Sequence, residues 1–293
     1  MTKKKTETQQ TNKQGTLSIV ATPIGNLGDI TQRALETLTN ATRILAEDTR
    51  NTRKLLTHFG IQGDLQALHE HNEQKKISLI KDWLDAGENI ALVSDAGTPL
   101  ISDPGYHLVN ELANEGYTIT PIPGVSAIIT ALSIAGLPTN RFTFEGFLPA
   151  KSTGRNKALQ ENATEQRTQV YYESCHRIVP SIQAMANIFG GERKVVLARE
   201  LTKLYEQVFR GDLTGLQEWI ISDSSHQKGE FVIMVAGYEK EEDSDESNAS
   251  TEQLLTVLIE ELPIKQAANL AARITGQKKN ALYRQAMALK KEN

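Results

Sequence analysis

The stretch Leu92-Val-Ser-Asp-Ala-Gly-Thr-Pro-Leu-Ile-Ser-Asp-Pro-Gly105 decides how this chain is read. Ile90 to Val93 form a short, wholly apolar run of the kind that makes a buried strand, and Gly97, Pro99, Pro104 and Gly105 break regular structure directly after it. A helical pattern follows, with His107, Leu108, Leu112 and Ala113 on one face and Ser102 or Asp103 placed to cap its start. A loop that leaves the carboxyl end of a strand and enters a helix is where open α/β sheets bind ligands. Asp95 hangs over that crevice.

The same rhythm runs on both sides of this loop. Upstream, Thr16–Ala21 reads as a strand, Thr22-Pro-Ile-Gly-Asn-Leu-Gly-Asp29 as its turn, and a helix starts near Thr31. Arg43–Ala46 is a second strand that ends in Glu47-Asp48-Thr49-Arg50, Asp64–Leu68 a third, and Ile77–Ala86 a helix closed by Gly87. Downstream, the strand Thr118–Ile122 leads through Pro123-Gly-Val-Ser-Ala127 into a helix of small residues. Strand, turn and helix in repetition predict a parallel α/β sheet. Past Pro138 the texture changes. Strands are expected at 141–147, 170–172, 194–198, 205–210 and 230–236, with 148–155 as a loop rich in Pro, Gly and Lys, and helices at 180–189 and 213–222. Two of these strands adjoin without a crossover helix, so the second sheet is expected to be mixed.

At 293 residues the chain has room for two domains and an appendage. The expected boundaries are a disordered tail over 1–15, α/β domains over 16–124 and 125–238, a flexible linker over 239–252, and a basic helix-turn-helix-like module over 253–293. The linker assignment rests on seven acids against one lysine. In the terminal module, helices are expected around Leu254–Ile259, Ile264–Ile274 and Asn280–Leu289, with Thr275-Gly-Gln277 as the turn. Lys265, Arg273, Lys278, Lys279 and Arg284 would present a patch suited to a phosphate backbone. The chain carries a formal charge of −4, so it is not basic throughout. Apolar runs are too short for a membrane span, and the lysine-containing amino terminus lacks the apolar core of a secretion signal. With one cysteine, Cys175, this fits a soluble protein of a reducing cytoplasm.

Chemistry has to be placed without the usual fingerprints. No G-x-G and no G-x-x-x-x-G-K-[ST] occurs, so a nucleotide-like ligand must be held by other turns. Three are offered, at 22–29, 94–105 and 123–127, each at a strand end where glycine and proline let backbone approach a ligand. Six scattered histidines and the absence of H-E-x-x-H or C-x-x-C make metal catalysis unexpected. Cys175-His176 reads as a strand-end coincidence, since neighbours in a strand face opposite ways. The acid/base candidates are Glu47, Asp48, Glu173 and Glu200, with Arg50, Arg199 and Lys203 as cations.

The segments SIVATPIGNLGDIT, ILAEDTRNTRKLL, ALVSDAGTPLISDPG, PIPGVSAIITAL, FEGFLP, YYESCHR, LARELTKLYEQVFRG and GEFVIMV resemble the tetrapyrrole methylase superfamily, and more narrowly its branch that methylates ribose 2′-hydroxyls of bacterial small-subunit ribosomal RNA. The likeness runs from about Leu17 to Gly237 and extends to the terminal helices. It departs from the corrinoid enzymes at the first turn, where their G-x-G-P-G-D-like loop is replaced by Pro23-Ile-Gly-Asn-Leu-Gly-Asp29. The resemblance implies two α/β domains of the non-Rossmann, class III methyltransferase type, S-adenosylmethionine in the cleft between them, no metal, and a homodimer. By position, Pro23, Ile24, Gly25, Asp95, Gly97, Thr98, Ser126 and Ala127 would hold the cofactor, with Glu230 and Phe231 near the adenine. The implied substrate is a cytidine ribose in the decoding region of 16S rRNA. Asp48, Arg50, Glu200 and Lys203 are expected on the acceptor side, where a carboxylate accepts the hydroxyl proton or Lys203 steadies the oxyanion. Two further readings are a small-molecule methylase, against which the basic module speaks, and a non-catalytic RNA-binding assembly protein, against which the intact turns speak.

Overall fold

The computed structural model describes residues 14–239 and 244–292, the side chains of 244–250 and 291–292 excepted. The expected tail therefore lies outside the described residues up to position 13, as do residues 240–243 of the expected linker. The chain forms two compact units, Met1–Tyr238 and Glu239–Asn293.

The first unit begins with β1 (Thr16–Val20), α1 (Gln32–Asn40), β2 (Arg43–Ala46), α2 (Thr49–His58), β3 (Asp64–Ala67), α3 (Glu73–Asp85), β4 (Ile90–Val93), α4 (Tyr106–Asn114) and β5 (Thr118–Ile122). The strands make one parallel sheet in the order β3-β2-β4-β1-β5. All of β4 is buried, and its run IALV is apolar at every position because both faces of the sheet are covered. Alternate residues serve opposite faces. Ile44, Ala46 and Val93 meet Leu38 of α1 and Leu56 of α2. Leu45, Ile90 and Leu92 meet Ile80 of α3 and Leu112 of α4. Each such side chain contributes about 1.5–3 kcal/mol on burial. From β1 the chain crosses β4 to reach β2, and from β4 it crosses β1 to reach β5. The loops after β1 and β4 thus part in opposite directions and open a crevice at the carboxyl edge of the sheet.

The second half of this unit contains α5 (Ala127–Ala135), β6 (Phe142–Phe147), α6 (Ser152–Glu161), β7 (Thr168–Ser174), α7 (Ile178–Phe189), β8 (Lys194–Arg199), β9 (Gln207–Asp212), α8 (Leu213–Ser222) and β10 (Glu230–Val235). The sheet order is β6-β7-β10-β8-β9, with β6 and β7 parallel and the other pairs antiparallel, so the sheet is mixed as expected. Phe231, Ile233 and Val235 face α7 and α8. Val232 and Met234 face α5, and Ile24 of the first turn joins that cluster.

Three local expectations are corrected. The helix after the central loop is entered through Gly105, at φ +121°, with no side-chain cap from Ser102 or Asp103. α3 starts at Glu73 rather than Ile77, because the buried Glu73 carboxylate accepts the Leu108 N–H at 2.8 Å and occupies the face where an apolar residue is the usual signal. The stretch read as loop over 148–155 contains the start of α6, whose only buried residues are Arg155 and Leu159, too thin a stripe to show in the pattern.

The second unit is a three-helix module of α9 (Ser244–Glu261), α10 (Ile264–Thr275) and α11 (Lys279–Glu292) around Leu255, Ala268, Ala271, Leu282 and Ala286. α9 reaches into the stretch read as linker. Thr251 is buried and its hydroxyl accepts from Gln277 Nε2 at 3.1 Å. α10 ends on Gly276, in the left-handed conformation that closes helices at low cost.

Candidate active site

The three turns meet at the carboxyl edge of the first sheet. Thr22 and Gly97 exchange backbone hydrogen bonds at 2.9 and 3.0 Å, which ties the first turn to the second. Thr98 Oγ1 donates to the carbonyl of Val125 at 2.9 Å, which ties the second to the third. Gly97 has φ +77°, and a Cβ there would stand 3.3 Å from Ile24 Cγ2, so glycine serves both conformation and approach. In the same loop Leu100 and Ser102 hold φ +73° and +67° without being glycine. Strain of about 1–3 kcal/mol per residue is stored here and borne by the surrounding contacts.

Between these turns and residues of β6, β7, β8 and β10 in the second sheet lies a cavity of about 490 Å³. Eight of the residues expected to hold the cofactor line it: Ile24, Asp95, Gly97, Thr98, Ser126, Ala127, Glu230 and Phe231. Pro23 and Gly25 line a second cavity of about 300 Å³ that shares Ile24, Asp95, Ala96 and Glu230 with the first. The aromatic part of the wall is Tyr172, stacked edge-on against Phe144 and tilted against Phe147. Burial, with Asp103 nearby, pushes its phenol up to about 12.

The acids of the cleft are differentiated by their surroundings. Asp95 Oδ1 accepts the Asp48 N–H at 3.1 Å and Oδ2 accepts from Asn51 Nδ2 at 3.0 Å, so the start of α2 holds its carboxylate in place. Asp48 caps α2 through the Arg50 N–H at 2.8 Å and pairs with the Arg50 guanidinium, which holds its carboxyl at about 2. Burial pushes Glu47 up, helped by Asp103 and Asp95. Burial likewise raises Asp103, against a hydrogen bond from Ser94. Both line the larger cavity.

The opposite wall is the loop between β8 and β9. Glu200 and Thr202 adopt positive φ, +52° and +65°, and bend this loop toward the first turn. Thr202 Oγ1 accepts the Asn26 N–H at 3.1 Å, and a Cβ on Gly25 would come within 2.4 Å of Lys203 Cγ. Lys203 Nζ bridges Glu200 at 2.9 Å and Glu230 at 3.0 Å. Burial opposes this charge arrangement at both ends, yet the hydrogen bonds prevail, lowering Glu200 and raising Lys203.

Of the four residues expected on the acceptor side, Lys203 alone lines a cavity. Glu200 stands behind Lys203, Asp48 is engaged at the helix start, and Arg50 is 86% exposed and turned to Asp48. Two other acid/base candidates have fixed places in the framework. Glu173 is buried among Ser181, the Ser174 N–H and Arg177. Arg199 donates to the Lys228 and Tyr205 carbonyls and to Gln207. Sequence reasoning missed Asp103, Tyr172, Asn51, Thr52 and Lys54 as cavity residues; the last three lie in a plain helical pattern that carries no signal of a cleft. In the second unit Lys265, Arg273, Lys278, Lys279 and Arg284 are all exposed. Among the described residues no group of three or more His, Cys, Asp or Glu is placed to hold a metal.

Residues 16–217 match the family profile of Tetrapyrrole (Corrin/Porphyrin) Methylases, and the chain belongs to that family. Residues 245–290 match the RsmI C-terminal HTH domain. Among full-length relatives, the chain is 50% identical to Ribosomal RNA small subunit methyltransferase I of Pseudomonas aeruginosa, over 93% of this chain and 97% of that one. The proteins of the same name from Escherichia coli O157:H7 and Vibrio cholerae are 52% and 54% identical, covering 94% and 92% of this chain and 96% and 93% of theirs. Among solved structures, diphthine synthase superposes with a TM-score of 0.59 at 16% identity, over 76% of this chain and 90% of that one. Uroporphyrin-III C-methyl transferase from Thermus thermophilus complexed with S-adenyl homocysteine superposes at 0.52 with 18% identity, over 75% and 97%. These two likenesses establish the fold.

Proposed function

We propose that this protein transfers a methyl group from S-adenosylmethionine to the ribose 2′-hydroxyl of a cytidine in the decoding region of 16S ribosomal RNA, acting in the cytoplasm as a homodimer. The observation that carries this reading is the joined set of three strand-end turns around one cleft, in a chain about half identical along nearly its whole length to small-subunit rRNA methyltransferases. The cleft suits the cofactor chemically. It sets carboxylates, Asp95 first among them, where a cationic amino-acid end and sulfonium would lie, and apolar walls from Ile24, Ala127 and Phe231 where a purine would lie. The exposed basic residues of the second unit suit RNA phosphates.

When bound, the cofactor supplies an electrophilic methyl group on sulfur. The residues of the chain align and shield. Gly97 and Thr98 hold the second turn against its neighbours and let it approach the ligand closely, with Pro23, Gly25, Ser126 and Ala127 shaping the turns around it. Ile24 and Phe231 keep water out, which matters because displacement is in line and a stray water competes with the ribose. Lys203 carries its charge into the second cavity, where it steadies the oxygen that loses its proton. Glu200 and Glu230 position that ammonium. Asp48, whose carboxyl is held low by Arg50, is too weak a base to accept that proton. Asp48 and Arg50 instead shape the start of α2 and so the seat of Asp95.

Incubating the protein with tritiated S-adenosylmethionine and either assembled small subunits or naked 16S rRNA, then identifying the labelled nucleoside by mass, tests the reading. A 2′-O-methylcytidine is expected. A methylated base, or no transfer, overturns it.

A further inference from the structure

The second cavity has a wall that the cofactor does not need. It is formed by Lys203 and by Asn51, Thr52, Lys54 and Leu55 from the first two turns of α2. It opens from the larger cavity along Ile24, Asp95, Ala96 and Glu230, so an occupant there lies directly beside whatever fills the cleft. Thr52 is 4% exposed, lines the cavity, and its hydroxyl has no hydrogen-bond partner among the described residues. A buried hydroxyl left without a partner is a group waiting for one. The charges around the cavity are also unevenly spent. Lys203 is neutralised by two carboxylates and Arg50 by one. Arg53 and Lys54, both exposed, make no ion pair among the described residues. α2 has the sequence TRNTRKLLTH, with three full cations and no acid.

We infer that this cavity seats the target nucleotide of an RNA substrate, turned out of its strand, and that Arg53 and Lys54 hold the flanking phosphates. The inference rests on the function proposed above and deepens it. It gives the first unit an RNA-binding surface of its own, in addition to the exposed cations of the terminal helices. An extruded nucleotide offers a ribose edge and a base edge rich in acceptors and donors, which Asn51 and Thr52 can meet. Its neighbouring phosphates need cations without other commitments, and those are the two that α2 supplies.

The test is the double reversal Arg53→Glu and Lys54→Glu in the full chain, assayed for methyl transfer to 16S rRNA and to assembled subunits. Both positions are exposed and make no ion pair among the described residues, and unchanged melting would establish that the fold is kept. The expected result is a KM for RNA raised roughly tenfold or more, a salt dependence of RNA binding shallower by about two counterions, and S-adenosylmethionine affinity unchanged by calorimetry. The conservative pair Arg53→Lys and Lys54→Arg should restore the native KM. If native protein methylates RNA and the double reversal does so with the same KM and the same salt slope, the nucleotide seat is overturned and the function stands. It is overturned equally if the reversal acts by changing sedimentation, which would make α2 a contact between copies of the chain. If native protein labels no RNA, the function and the seat fall together.

Discussion

Asp95 is exposed, yet its carboxylate is fixed from behind by a backbone amide and a side-chain amide that both belong to the start of α2. Its replacement should therefore remove a charge without loosening a core. Asp95→Ala is expected to weaken S-adenosylmethionine binding by about tenfold or more by calorimetry, as loss of a charge-assisted hydrogen bond does, with the melting temperature and RNA affinity nearly native. Glu47 and Asp48 adjoin in sequence and respond oppositely to pH. The folded state lowers Asp48 to about 2, so its contribution is present above the ordinary aspartate range and lost as pH falls toward 2. The folded state raises Glu47, so ionising it works against folding as pH rises through that raised value. Thermal melts should show Asp48→Asn less stable than native at pH 7 and converging with it near pH 2. Glu47→Gln should be the more stable at pH 7, its advantage fading in acid.

At the scale of elements, strands were the most legible part of the chain. RILA and TITPI show as β2 and β5 to the residue, because their apolar and β-branched residues stand out between polar turns. Helices whose buried face is polar were not. α3 begins with the buried Glu73, and α6 buries the arginine Arg155, so periodicity in apolar residues starts late or fails. The turns of the cleft were legible one by one, from glycine and proline at strand ends. Their joining was not: Asn26 and Thr202 meet across 176 positions, and nothing local announces a partner at that distance. Gly97 shows what a joined turn demands. With φ +77° and Ile24 3.3 Å from where a Cβ would be, Gly97→Ala should cost about 1–2 kcal/mol in denaturant unfolding and weaken the cofactor more than it weakens the fold.

At the scale of the whole molecule, the chain divides its labour. The first unit is built around a cleft, and the second around a small core of leucines and alanines with cations outside. Composition made the basic character of α10 and α11 plain, while α9 begins within a stretch whose acidity reads as linker. Lys278→Glu with Lys279→Glu, at the start of α11, should lower rRNA affinity and make its dependence on salt shallower by about two counterions in filter binding. Cofactor affinity should not change.

The paired amides of Thr22 and Gly97 have a consequence for the time course of binding. Each is donor to the other's carbonyl, so two loops that would otherwise sample many shapes move as a single piece before any ligand arrives. The ordering entropy is then spent at folding and not at each encounter. Both amides should exchange slowly with deuterium in the free protein, with little further slowing when the cofactor is added, and the association rate should be set by diffusion into the cleft rather than by loop closure.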